Sequence, residues 1–178
     1  MDALVASASD EAAILDGGEA ALKSLIVHDD WLPEDLARPN ADKYQQYLLY
    51  ADRAGRYSVQ SFVWGPGQGT PIHNHTVWGL VGVLRGAEQC AEYPEPGAEP
   101  MHCQYQHRLE RGSVDRVSPT LGDWHAVSNA LTDAPSISIH VYGADIGRVT
   151  RSVWDAAAQT VKPFVSGYSN DAAWIAAR

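Results

Sequence analysis

Cysteine, lysine and long apolar runs are all scarce in this chain. Two cysteines in 178 residues, Cys90 and Cys103, cannot build a disulfide scaffold. They leave the redox compartment open and favour a reducing cytoplasm. Lysine contributes only 3 of the 13 basic residues, against 22 acidic ones, for a net charge of -9. No basic stripe is present to track a phosphate backbone, so nucleic acid is excluded as a partner. No apolar run approaches the roughly 18 residues of a membrane-spanning helix. The N-terminal stretch MDALVASASDEAAILDGG has no basic leader region, so no secretory signal is expected. The expected setting is the cytoplasm.

What is present is a globular composition: 45% hydrophobic residues, 6 Trp and 8 Tyr. The acidity is concentrated at the start. Residues 1–42 hold 10 acids and 2 bases, and the other 136 residues are nearly neutral. Ser9 to Val27 reads as one or two short helices outside the core, interrupted at Gly17-Gly18. DKYQQYLLY places Tyr44, Tyr47 and Leu48 at helical spacing. From Ser58 onward the texture becomes that of short strands parted by Gly, Pro and Asp. These are Ser58 to Trp64, Val77 to Leu84, Gln89 to Tyr93, Val114 to Val117, Trp124 to Val127 and Ser136 to Tyr142. The tail reads as an Ala-rich turn, a KPFVSGYSN loop and a short amphipathic end. There is no internal repeat and no βαβ rhythm. The expectation is an all-β sandwich or small barrel. Residues 1–50 form a helical segment packed on it, and residues 51–178 form the barrel domain, as one structural unit.

The histidines carry the chemistry. His73 and His75 flank Asn74, and on an extended backbone both rings share a face. His125, in GDWHAVSN, closes a set of three if its strand lies beside theirs. Imidazole suits Zn, Fe, Ni and Cu. No acid follows His75 closely: Thr76, Val77, Trp78, Gly79 and Leu80 cannot ligate, and Glu88 lies across the next strand. Three neutral ligands leave the divalent charge uncancelled, which favours an anionic substrate. His28 reads as exposed, and His102 and His107 lie in a polar outer strand or loop. Ser138, His140 and Tyr142 share one face of a strand whose other face carries Ile139 and Val141. A relay follows, with serine orienting histidine and histidine holding the phenol. Arg151 and Arg148, just beyond, offer planar forks for carboxylates. Arg85 reads as structural.

The segment GQGTPIHNH, with Gly67 ahead and Gly86 closing, resembles the first cupin motif. Gly122, His125 and Asn129 echo the second. Gly79 stands in the region of the missing motif glutamate, which is similar to the cysteine dioxygenase family of thiol dioxygenases. S-I-H-V-Y, YGADIG and KPFVSGYSN extend that likeness. YQQYLLY and SFVWGPGQGTPIHNHTVWGLVGVLRG resemble the bacterial 3-mercaptopropionate dioxygenase branch. The resemblance covers roughly residues 25 to 170.

It implies a small jelly-roll β-barrel holding one Fe(II) per chain on His73, His75 and His125, with a small thiol and O2 as reactants and a sulfinate as product. The implied catalytic residues are Tyr142, His140 and Ser138. Arg151 matches the arginine that grips the substrate carboxylate in the bacterial branch. Arg148 would read a second carboxylate if the substrate were mercaptosuccinate, and Trp78 and Trp124 would wall the pocket. Gly79 stands where animal cysteine dioxygenases carry the cysteine crosslinked to this tyrosine. Asn74 replaces a common Asp and should alter hydrogen bonding around the iron. The alternatives are a mercaptosuccinate dioxygenase, a cysteine dioxygenase, another metallocupin enzyme such as an isomerase, and a non-catalytic cupin sensor.

Overall fold

Two β-sheets face one another, and the helices cover the outside of one of them. The computed structural model describes residues 1–97 and 100–170. Helix α1 is Asp2–Ser7 and α2 is Glu11–Ile26. The strands are β1 Gln45–Ala51, β2 Ser58–Trp64, β3 Gly79–Arg85, β4 Ala87–Glu92, β5 Tyr105–Glu110, β6 Val114–Val117, β7 His125–Asn129, β8 Ser136–Tyr142, β9 Arg151–Asp155 and β10 Thr160–Phe164. The first sheet runs β1-β2-β8-β3-β6. The other is built from β5-β4-β7 and the hairpin β9-β10. His73 joins those two pieces by isolated bridges to His125 and Val153.

The central strands of the first sheet are buried on both faces, which explains their apolar texture. Phe62, Trp64, Val83, Val127 and Tyr142 fill the space between the sheets. Val63, Leu80, Leu84, Ile137, Ile139 and Val141 face the other way, onto Leu15, Leu22 and Ile26 of α2. The N-terminal helix is therefore part of a core, contrary to the expectation that it lies outside. Each fully buried Leu or Ile there contributes about 1.5–3 kcal/mol.

Gly17-Gly18 does not interrupt α2, which is capped by Asp10 accepting from the Ala13 amide at 2.9 Å. Gly18 has a packing role instead: a Cβ there would sit 2.6 Å from Leu80 Cδ1. Gly82 plays the same part from the sheet: a Cβ there would sit 2.9 Å from Leu22 Cγ. The helix tolerates a penalty of about 1 kcal/mol per glycine and gains a close approach.

Two further expectations are corrected. In DKYQQYLLY the QQYLLY part belongs to strand β1, not to a helix, and pairs antiparallel with β2 from Gln45↔Val63 to Ala51↔Ser58. Tyr-rich sequence suits a pleated, half-buried surface, and the edge of β2 supplies the backbone partners. The region read as turn and loop after Arg151 is the β9–β10 hairpin. Its Pro163 fits only an edge strand, where the missing N–H is not needed. The amphipathic end expected at the C-terminus falls within 171–178, outside the described residues.

Candidate metal centre and substrate cavity

His73 lies on no named strand. Its backbone exchanges hydrogen bonds with His125, N to O at 2.9 Å and O from N at 3.0 Å. That exchange sets the two histidines side by side at the mouth of the second sheet. Three residues after His73, Thr76 adopts φ 61°, a left-handed conformation that non-glycine residues rarely take. The Asp123 carboxylate holds this turn. It accepts from the amides of His75 at 2.9 Å and Thr76 at 2.8 Å, and contacts His75 Nδ1 at 2.8 Å.

The ligand atoms of His73, His75 and His125 lie within 4.8 Å of one another, and all three residues are buried. Each ring is engaged on its outer nitrogen. Nδ1 of His73 meets the Pro71 carbonyl at 3.0 Å, Nδ1 of His75 meets Asp123, and Nδ1 of His125 lies 3.6 Å from Cys90 Sγ. This leaves Nε2 of each ring to turn inward, and Nε2 of His75 is buried with no partner. Burial holds all three histidines well below the usual imidazole range, His73 down to about 4. They are neutral donors at physiological pH, as metal ligation requires. Three fixed, neutral nitrogens with an orphaned lone pair fit a first-row divalent ion.

Asp123 was not singled out from the sequence, although it sits in the quoted GDWH. Its role resembles the carboxylate–histidine–metal arrangement. Asp123→Asn is expected to lower metal affinity about 10- to 100-fold, because the amide cannot serve all three donors as a carboxylate does. Competition against a calibrated chelator checks this, and unchanged affinity would mean that the turn alone positions His75.

The Ser138–His140–Tyr142 face of β8 points between the sheets. Ser138 Oγ lies 2.8 Å from His140 Nε2, and His140 Nδ1 lies 2.7 Å from the Tyr142 hydroxyl. Burial pushes His140 down to about 3 and raises Tyr142, so both are neutral. The Tyr142 ring stacks on His75, with centroids 5.0 Å apart.

Beside these groups is a cavity of about 200 Å³ lined by His73, His125, His140, Tyr142 and Arg151, with walls from Tyr44, Phe62, Trp64, Val127, Val153 and Phe164. Arg151 is only 5% exposed. Its Nη2 donates to Ser166 Oγ at 2.8 Å, its Cζ lies 4.6 Å from the Phe164 ring centroid, and its Nε has no partner. No Asp or Glu lines this cavity among the described residues. Tyr44, Phe164 and Ser166 were missed in the sequence because each reaches the site from a segment read as helix or loop.

Asn74 points away from the triad. Its Oδ1 accepts from the Ser152 amide at 2.8 Å and its own amide donates to Ser152 O at 3.0 Å. It thereby ties the histidine turn to the strand that carries Arg151. Arg148 is not brought to the cavity: its side chain is 75% exposed and reaches Asp145 at 3.3 Å. It ends a 3-10 turn, Ile146–Arg148, whose Ile146 is buried, so the next side chains swing outward. Trp78 does not wall the cavity either. It precedes β3 on the side of Leu80, packs on the outer core, and lies over Gly143. Trp124 alternates with His125 and lines a surface groove with Asp123. His28 and His102 are exposed, and His107 pairs with Asp115 at 2.9 Å. Cys90, His107 and Asp115 form a second group of potential ligand atoms within 4.8 Å that sequence spacing did not suggest.

The profile of the family described as "Cysteine dioxygenase type I" matches residues 30–152. This chain belongs to the cysteine dioxygenase type I family. Cysteine dioxygenase type 1 of Rattus norvegicus and that of Mus musculus are each 25% identical to it over 105 residues, 57% of this chain. The match spans about half the length of those relatives, 52%. Among solved structures, a conserved Klebsiella pneumoniae protein with a double-stranded β-helix domain superposes with a TM-score of 0.51 at 16% identity, covering 66% of this chain and 91% of that one. The fold is thus the all-β cupin. No helix among the described residues is long and apolar enough to cross a membrane.

Within this family Gly79 has a local consequence. It pairs with Tyr142 across β3 and β8, and a Cβ at this position would lie 2.7 Å from Tyr142 Cδ1. No thioether can form there, and both cysteines are free. Intact-protein mass should equal the sequence mass, without the hydrogen deficit of a Cys–Tyr bond. A digest peptide joining Tyr142 to Cys90 or Cys103 would refute this.

Proposed function

We propose that this chain is a cytoplasmic, non-heme iron thiol dioxygenase, with one Fe(II) on His73, His75 and His125. It converts a small mercaptocarboxylate of the 3-mercaptopropionate type, with O2, to the sulfinate. The observation that carries the reading is Arg151: a buried guanidinium without an acidic partner among the described residues, lining the same cavity as His73 and His125. Such a group is a receptor for an anion, because an unpaired buried charge is costly until a counter-charge arrives. Cysteine would bring an ammonium as well, and no carboxylate among the described lining residues could receive it. One arginine, with Arg148 turned away, favours one carboxylate over the two of mercaptosuccinate.

Ferrous iron held there would supply a site for thiolate coordination and the electrons that activate O2. The chain's own residues do the rest. Arg151 fixes the carboxylate, so the thiol is presented to the triad in one orientation. Tyr142, held by His140 and Ser138, places its hydroxyl at the edge of the same cavity. The aromatic and aliphatic walls exclude bulk water and strengthen both contacts.

Oxygen uptake by the Fe(II)-loaded protein, with product analysis, tests the reading across 3-mercaptopropionate, mercaptosuccinate, cysteine and cysteamine. The expected result is highest kcat/KM for 3-mercaptopropionate, with one sulfinate formed per O2 consumed. Preference for cysteine would move the assignment to cysteine dioxygenase. No uptake with any thiol would favour a binding module.

A further inference from the structure

Glu88, on β4, is an acid the mechanism above does not use. It is fully buried, at 0% exposure. Its carboxyl lies among the Ser138 hydroxyl, the Trp64 indole N–H and the Ser136 hydroxyl, each of which favours its charged form by hydrogen bonding. Only Ser136 comes within hydrogen-bonding distance, Oγ to Oε1 at 3.5 Å, and Oε2 has no partner among the described residues. No cation is among the groups acting on it. Across β4 its neighbours are Leu109 on β5 and Asn129 on β7, neither of which titrates. The titratable groups nearby are Cys90 on the same strand and Tyr142 on β8, both raised chiefly by their own burial and to a smaller degree by the Glu88 charge. Burial pushes Glu88 up to about 7, so it changes charge within the physiological range.

Ser138 therefore has the buried acid close by on one side and His140 on the other. Trp64 Nε1 donates to Ser138 Oγ at 3.3 Å. That leaves the hydroxyl one further acceptor position and its own proton, which can be arranged in two ways. With a neutral Glu88, the acid donates to Ser138, Ser138 to His140 Nε2, and His140 Nδ1–H to the Tyr142 oxygen. The phenol proton is then free to point into the cavity. With an ionised Glu88 every donor turns round. Tyr142 donates to Nδ1, Nε2–H to Ser138, and Ser138 to the carboxylate, so the cavity meets only lone pairs of the phenol oxygen.

We propose that Glu88 is the fourth member of the Ser138–His140–Tyr142 chain, a positioning residue whose protonation state decides whether Tyr142 donates to or accepts from a ligand in the cavity. Neutral Glu88 is the competent form for an anionic substrate, because both Arg151 and Tyr142 then donate to it. The chain polarity rests on the Ser138–His140–Tyr142 hydrogen bonds and on the fully buried Glu88 carboxyl packed beside the two serines of β8. Only its consequence for turnover rests on the thiol dioxygenase reading.

The test has a metal-free arm and a kinetic arm. Infrared difference spectra of the metal-free protein, between mildly acidic and mildly alkaline buffer, should show a protonated-carboxyl C=O band that titrates near neutrality. Glu88→Gln should remove the band, and Ser138→Ala should shift it, since the acid loses its partner there. In the kinetic arm Glu88→Gln donates to Ser138 at every pH and holds one polarity. The ratio of wild-type to variant kcat/KM for 3-mercaptopropionate should fall about tenfold per pH unit above the midpoint, as loss of one proton requires, and the thiol's own ionisation cancels in the ratio. In Tyr142→Phe that limb should vanish. A missing band, a band indifferent to Ser138→Ala, or a flat ratio would overturn the proposal. A Ser138-sensitive band in a protein that consumes no O2 would support the chain polarity and reject the dioxygenase.

Discussion

His75→Ala should abolish the stabilisation that the metal confers, while leaving a folded protein. A ligand bound at about 1,000 times its Kd adds about 4 kcal/mol to the native state. For a chain of this size that corresponds to a rise of about 8–16 °C in Tm. Wild type should show a rise of this order on adding Fe(II) or Zn(II) in excess, since either ion suits three imidazoles. His75→Ala should show almost none. The imidazole lost is the one whose Nε2 is orphaned, whose other nitrogen is held by Asp123, and whose ring stacks on Tyr142. Removing it takes away both a ligand and the ring on which Tyr142 stacks. His28→Ala, at an exposed position, is the control that should keep the full shift. Oxygen uptake should separate the two ions, because zinc has no redox chemistry. A metal-induced shift of wild-type size in His75→Ala would remove this residue from the ligand set.

The parts of this site legible in the sequence are those that a two-residue period exposes. Ser58 to Trp64, Val114 to Val117 and Ser136 to Tyr142 coincide with β2, β6 and β8. The alternation along β8 separates Ser138, His140 and Tyr142 from Ile139 and Val141, as the pattern indicates. What failed has a physical cause in each case. Tyr44, Tyr47 and Leu48 lie at helical spacing by coincidence, and pairing with β2 decides the state of Tyr47 and Leu48. Gly17-Gly18 looks like a helix break because propensity is local, whereas the close contact of Gly18 with Leu80 is tertiary. Arg148 and Arg151 look alike in sequence. A 3-10 turn separates an exposed guanidinium from a buried one only three residues further on. Asp123 and Glu88 act through partners 47 or more residues away in sequence, so no local pattern marks them.

Arg151→Met should separate recognition from stability in opposite directions. The methionine fills much of the arginine's volume against Phe164 and keeps the cavity wall, but it cannot pair with a carboxylate. Loss of a desolvated, charge-assisted contact costs about 2–5 kcal/mol. The kcat/KM for 3-mercaptopropionate should therefore fall about 30- to 4,000-fold. Cysteamine has no carboxylate and should be nearly indifferent, so the selectivity between the two should collapse. Without ligand the sign reverses. In the free protein Arg151 has one hydroxyl partner and an aromatic face, and burial lowers its pKa, a direct sign that its charge is disfavoured there. Replacing such a charge by a well-packed apolar side chain should stabilise the fold, by about 1–4 kcal/mol where the comparison has been made for buried ion pairs. Ligand-free Arg151→Met should accordingly melt at or above the wild-type temperature. A lower melting point would mean that the Ser166 contact is chiefly structural, and an equal loss of activity on cysteamine would mean that Arg151 shapes the cavity without reading the carboxylate.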